Sequence, residues 1–284
     1  MVLQNFSMID LHSHTLPALC DGSQDLNTSL AMARMAVADG ITHLACTPHI
    51  YPGLYDNSTA TIAPALEALQ TQLDLAEIPL KLLIGADTHM MPDVMRGLKT
   101  GRIPTLNHSR YFLLEPSHHV PVNDFIGQIE NYINAGYIPL ITHPERLTWI
   151  AEHYEQFLTA ARLGAWIQIT AGSITGQFGR SAKKIAEQFL QDGYVHIIAT
   201  DAHGIERRPP ILSEGVKAAA LIIGEEEARY CVWERPRAIL DDLAPNLVPT
   251  IPALRSTAPK TALRPAANDA NKPKTLLQRL FGRG

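Results

Sequence analysis

Met8-Ile9-Asp10-Leu11-His12-Ser13-His14, with Asp21-Gly22 soon after, is the stretch that decides the reading of this chain. Met8 to Leu11 form a short, mainly apolar strand, and His12 and His14 stand two residues apart at its C-terminal end. On extended backbone, residues i and i+2 project to the same side. Two imidazoles on one side, with the Asp21 carboxylate nearby, make a cradle suited to first-row divalent metals. Taken alone, His-x-His could equally be two polar residues capping a strand. The rest of the chain decides between the two.

Outward from that strand the pattern repeats. Short apolar strands are expected over 42–47, 81–86, 111–114, 138–142, 166–170 and 196–200. Helical spacing is expected over about 28–39, with Asn27 or Thr28 as its cap, then over 59–77, 125–135, 154–163 and 181–192. About seven strands alternating with helices or loops predict a parallel sheet. Their apolar composition predicts burial on both faces. Six strands end in residues that can bind metal: His12 and His14, His49, Asp87, Glu115, His143, and Asp201 with His203. In an α/β barrel the C-terminal strand ends converge on one face, where the chemistry sits. A chance scatter of His, Asp and Glu would not recur there. His43, His108, His118, His119, His153 and His196 fail this test and are read as ordinary residues. His89 is a minor candidate.

These ligands exceed what one ion takes from a protein. Carboxylates placed to bridge imply two or three ions close together. Such clusters suit phosphoester hydrolysis, because they lower the pKa of a bound water to supply hydroxide and neutralise phosphate charge.

The chain resembles the polymerase and histidinol phosphatase (PHP) superfamily, and within it the bacterial protein-tyrosine phosphatases of capsule and exopolysaccharide systems. The motifs are Ile-Asp-Leu-His-Ser-His at 9–14, Asp21-Gly22, Thr47-Pro48-His49, Leu114-Glu115-Pro116, Thr142-His143-Pro144-Glu145-Arg146 and Asp201-Ala202-His203. The resemblance spans about residues 8–245. It implies a distorted seven-stranded (β/α)7 TIM-like barrel with a trinuclear site. His12, His14, Asp87 and Asp201 would share one metal. Asp87 would bridge to a second, held with Glu115 and His143. Asp21, His49 and His203 would hold the third. Family members carry Glu where this chain has Asp87, a carboxylate retracted by one methylene, about 1.5 Å. Arg146 and Arg208 match two arginines used near phosphate, where the guanidinium fork suits phosphate oxygens. The resemblance further implies manganese, with iron, zinc or magnesium also acceptable to these ligands. Its implied substrate is a phosphotyrosine protein, the tyrosine-rich tail of a membrane-associated polysaccharide kinase. A PHP phosphatase for a small phosphoester such as histidinol phosphate, or a non-catalytic scaffold for polysaccharide export, are the alternatives.

One competing signature is Cys231-Val-Trp-Glu-Arg-Pro-Arg237, the Cys-x5-Arg spacing of thiolate phosphatases. That chemistry needs a loop of backbone N–H groups around phosphate and a depressed thiol pKa. Here the intervening residues are bulky, Glu234 adds negative charge and no glycine is present. The match is read as coincidence, in a helix over 225–243 broken near Pro236.

The 284 residues carry a net charge of −4, so nucleic acid is not an expected partner. Residues 250–284 hold seven basic residues and one acidic, leaving 17 basic and 27 acidic before them. The expected division is a phosphatase barrel over 1–248 and a basic, Pro/Ala-rich, disordered tail over 249–284. That tail is read as solvated, with contact to a membrane surface or an acidic partner as the functional alternatives. Three cysteines, none in Cys-x-x-Cys, argue against a disulfide framework. No signal peptide and no run of 18 apolar residues is present, so the body is read as cytoplasmic.

Overall fold

Among the described residues nine short strands, all paired in parallel, carry the architecture. A computed structural model describes residues 7–255. The strands are β1 (Met8–Ser13), β2 (Ile41–Cys46), β3 (His49–Ile50), β4 (Lys81–Ile84), β5 (Asp87–His89), β6 (Tyr111–Glu115), β7 (Ile138–Thr142), β8 (Trp166–Thr170) and β9 (Ile197–Ala199). One sheet has the order β1-β2-β4, the other β3-β5-β6-β7-β8-β9. The α/β class and parallel pairing are as the alternation predicts.

The single closed seven-stranded sheet is not. Two of the seven expected strands, 42–47 and 81–86, end early, and each is followed by a second short strand. Pro48 has no N–H to give a ladder, so β2 stops at Cys46 and resumes as β3. Between β4 and β5 lies Gly85, where an added Cβ would stand 2.9 Å from both Leu106 and Thr47 side chains. At this double break the Asp87 N–H turns to the carbonyls of Thr47 and Pro48, at 3.3 and 3.2 Å. The sheets meet again where the first strand comes up to the last. There, one bridge joins Ser13 to Ala202, flanked by Asp201 N–H to His12 O at 2.9 Å and His14 N–H to Ala202 O at 2.8 Å. The buried Asp10 reinforces this seam by accepting from the Thr200 N–H at 3.1 Å and from its hydroxyl.

Alternate strand residues feed two cores, as two-sided burial requires. Ile9, Leu11, Leu113, Leu140 and Ile197 belong to one. Phe112, Leu114, Ile141, Ile167 and Ile198 belong to the other, with the helices. The helix Leu26–Ala38 is capped by Asp25, which accepts from the Thr28 N–H at 2.8 Å, rather than by Asn27 or Thr28.

Composition changes at Pro249, but packing does not. Ile251 is 1% exposed, and the short helix Pro252–Arg255 brings Arg255 onto Glu227. The remainder of the expected tail, 256–284, lies outside the described residues.

Candidate metal centre

Each strand end delivers its candidate ligand by a local device. The Nε2 atoms of His12 and His14 lie 3.2 Å apart. Their other ring nitrogens are taken, His12 Nδ1 by the Gln168 side-chain oxygen at 2.9 Å and His14 Nδ1 by Cys20 Sγ at 3.2 Å. Such outer partners fix tautomer and ring orientation in metal sites. Asp21 is brought in by a loop that folds back on His14, with the Ser23 N–H bonded to His14 O at 2.9 Å. Gly22 makes that approach possible, since a Cβ there would lie 2.1 Å from His14 O. His49 and Asp87 are register partners in β3 and β5, and His89 and Glu115 in β5 and β6, so strand pairing sets them side by side. His143, Asp201 and Arg208 adopt left-handed backbone, φ 35°, 52° and 59°. For non-glycine residues this costs on the order of 1–3 kcal/mol each.

All nine ligands expected from the sequence converge. Asp201 Oδ1 lies 3.3 Å from His12 Nε2 and 3.2 Å from His14 Nε2. Asp87 Oδ2 is 3.4 Å from both His12 Nε2 and His49 Nδ1. Asp21 Oδ1 is 3.5 Å from His49 Nε2 and 3.4 Å from His203 Nε2. Glu115 Oε2 is 3.4 Å from His49 Nδ1, and Oε1 is 3.8 Å from His143 Nε2. These form overlapping sets: His14-Asp21-His49-His203, His12-His14-Asp87, His12-His143-Asp201 and His49-Asp87-Glu115. Relative to the expected partition, His14 also joins the Asp21 set, and His143 the Asp201 set.

The residues fit divalent metal on two observations. Two ligands of one ion, each about 2.0–2.2 Å from it, stand roughly 3.0–3.5 Å apart. Apart from those to His143, the imidazole–carboxylate separations given above have that spacing, longer than the 2.7–2.9 Å of a direct charge-assisted hydrogen bond. Moreover His49 Nδ1, His143 Nδ1 and Asp87 Oδ2 are buried without a hydrogen-bond partner, which is costly unless another group satisfies them.

The field favours a cation. Burial pulls the His12 imidazole down, yet Asp201 and then Asp87 overcome it and raise it to about 9. His49 behaves alike, burial opposed by Glu115 and Asp87, and also rises to about 9. Burial and the neighbouring Arg146 push His143 down to about 4. Asp201 is held well below the ordinary carboxylate range, the pull of His12 and Arg208 outweighing burial.

Arg146 and Arg208 both reach Asp201 at the inner edge of the cleft. Arg207, beside Arg208, is exposed. The cleft has a volume of about 310 Å³ and opens past Tyr51, Leu54 and Tyr55. His89 is 3.7 Å from Glu115 and its ring stacks on Tyr51 at 4.0 Å. Sequence reasoning missed His118, whose Nε2 lies 3.3 Å from Glu115 Oε1. Its only signal was position, three residues past a strand-end ligand. Cys231 is fully buried, and burial pushes its thiol up to about 12 despite Arg235. Arg237 is turned away onto Asp241. The Cys-x5-Arg spacing therefore forms no phosphate loop.

The family model for capsular polysaccharide synthesis, CpsB/CapC, matches residues 8–241. The tyrosine-protein phosphatase YwqE of Bacillus subtilis is 36% identical over 203 residues, 71% of this chain and 79% of its own length. The putative tyrosine-protein phosphatase CapC of Staphylococcus aureus is 30% identical over 210 residues, 73% and 81% of the two chains. Among solved structures, one from a study of YwqE and Streptococcus pneumoniae CpsB, described there as metal-dependent tyrosine phosphatases, superposes with a TM-score of 0.79. It shares 32% identity and covers 84% of this chain and 96% of that one. With the motifs, the converging ligands and these likenesses in agreement, the chain belongs to the CpsB/CapC family of capsular polysaccharide synthesis.

Proposed function

We propose that this protein is a metal-dependent protein-tyrosine phosphatase. The observation that carries the proposal is the convergence of four carboxylates and five imidazoles beside two arginines in an open cleft. His12, His14, Asp21, His49, Asp87, Glu115, His143, Asp201 and His203 would hold two or three ions, with manganese proposed and iron, zinc or magnesium acceptable to the same ligands. When bound, the metals supply an acidified water and neutralise charge on the phosphoryl oxygens. The chain's own residues do the rest. Gln168 fixes the His12 ring, and Arg146 and Arg208 offer forked donors to a phosphate entering beside Asp201. The two sheets, joined at the β1–β9 seam, serve as a distorted PHP-type barrel with the ligands at one end.

The cleft's rim supports a protein substrate. Leu54 is 63% exposed, and the opening past Tyr51 suits a phosphotyrosine on a chain better than a small phosphoester sealed from water. The substrate proposed is a membrane-associated tyrosine kinase of the polysaccharide system. The catalytic body, whose packing runs on to Arg255, is proposed to act in the cytoplasm. No helix among the described residues is long and apolar enough to cross a membrane. The test is chelation followed by manganese, assayed against phosphotyrosine peptides, histidinol phosphate and a chromogenic phosphate. Activity should vanish, return with metal and favour phosphotyrosine. Full activity without metal, or a preference for histidinol phosphate, defeats the proposal.

A further inference from the structure

We propose that His118 is a tenth metal ligand, completing one ion position together with Glu115 and His143. This rests on the metal centre proposed above. Asp87 offers little to that position. Its Oδ1 is occupied by the Thr142 hydroxyl at 3.3 Å. Its Oδ2 lies 3.4 Å from His12 and His49 but 3.9 Å from His143. Without Asp87, Glu115 and His143 are two protein ligands, below the three that open metal sites usually have. His118 supplies the third. Its Nε2 is 3.3 Å from Glu115 Oε1, its ring centroid is 5.2 Å from that of His143, and the three ligand atoms lie within 4.8 Å of one another.

His118 is also held in place. Its carbonyl accepts from both the Thr148 N–H and the Thr148 hydroxyl, each at 3.0 Å. The preceding Ser117 carbonyl accepts from the Trp149 indole at 2.8 Å. The chain then leaves for solvent at His119, Val120 and Pro121. Three bonds therefore anchor the backbone on either side of one imidazole, where a loose loop would serve a merely solvated side chain. His118 is 31% exposed, so this ion position is open to solvent on one side.

The test reads metal, not turnover. Full-length protein, stripped and refilled with manganese, is dialysed and its metal counted for wild type, His118→Ala and His119→Ala. His118→Ala should lose about one equivalent per chain, or bind its weakest ion at least ~10-fold less tightly, on the scale seen when a site's supporting groups are removed. His119→Ala should match wild type. As a second arm, His118→Cys refilled with cobalt should gain a thiolate-to-cobalt charge-transfer absorption that wild type, which keeps Cys20, lacks. Unchanged metal content and affinity in His118→Ala, with no new absorption in His118→Cys, overturns the proposal. If wild type binds its metals yet hydrolyses no phosphotyrosine, the functional proposal fails while the ligand assignment is still decided by these counts.

Discussion

Arg146 and Arg208, from separate loops, meet on the same oxygen, Oδ2 of Asp201, and share the face of Phe178, at 4.3 and 5.5 Å from its ring centroid. The other oxygen of Asp201 faces His12 and His14. One carboxylate thus has an imidazole side and a guanidinium side.

From this it follows that either arginine alone can keep Asp201 in position. Arg208→Ala should retain metal but lose roughly 30- to 1,000-fold in kcat/KM, the equivalent of about 2–4 kcal/mol for a preorganised donor to developing charge. Arg208→Lys should recover only part, because an ammonium cannot make the forked contact. Arg207→Ala should be silent. The Arg146→Ala/Arg208→Ala double variant should lose metal as well as rate, beyond the product of the single effects. Kinetics and metal counts on the same preparations check all four; a crippled Arg207→Ala variant contradicts the assignment.

The position of the C-terminal end can be tested by cutting it twice. Arg235 is fully buried and donates to Pro249 O at 2.9 Å and to the Glu227 carboxylate at 2.5 Å. A chain ending at Arg255 should match full length in turnover on a chromogenic phosphate and in unfolding midpoint. One ending at Val248 loses Ile251 and strands a buried guanidinium donor. It should be less stable by several kcal/mol, roughly 3–5, from apolar burial and an unsatisfied charged donor. Denaturant unfolding measures the difference, and equal stability of the two contradicts the packing described.

Cys231→Ser should leave kcat and KM near wild type while lowering stability by about 1 kcal/mol, the usual scale of a buried polar substitution with a partner in reach. Arg235 Nη1, 3.4 Å from the sulfur, is that partner. Loss of turnover in a folded Cys231→Ser variant would restore a role for the thiol.

His196 predicts an acid-side weakness away from the metals. Burial first, then Arg235, holds its imidazole well below the ordinary value. Its Nδ1 accepts from the Ile167 N–H at 3.1 Å, and its ring stacks on Trp166 at 5.1 Å. The unfolded chain takes up this proton near pH 6.5, whereas the folded one does not. Unfolded protein therefore binds more protons below that pH, and stability falls as pH drops from about 6.5. His196→Asn, which keeps an acceptor, should flatten the slope of unfolding free energy between pH 7 and 5. An identical slope in both proteins would mean that His196 titrates normally.

Much of the candidate centre was legible because its proposed ligands obey two rules at once. They follow apolar runs, and they stand at the same end of every run. What escaped lacked one of the two. Asp10 hides inside a strand and looks like a polar interruption until the Thr200 N–H and hydroxyl are brought to it from across the fold. His118 lies past a proline in a polar loop, and only the hydrogen bonds from Thr148 and Trp149 give it an address. The strand breaks at Pro48 and Gly85 were written in the sequence, but their effect, transferring a strand from one sheet to the other, depends on neighbours distant in the chain. Pro236 was read as a helix break. It instead follows a single wide turn, Tyr230–Glu234, and sits at the start of the helix Arg235–Leu240, where a missing N–H is harmless.

The seam between β1 and β9 has a consequence for biogenesis. Asp10 and Thr200 are 190 positions apart, and Asp201 and His203 follow immediately. A chain still being synthesised holds His12 and His14 long before the carboxylate that completes their set exists. The sets that include Asp201 or His203 can therefore form only after the last strand has emerged and docked. Metal held by the proposed ligands would act as a clasp between the ends of the fold, stabilising the chains in which those ends have met.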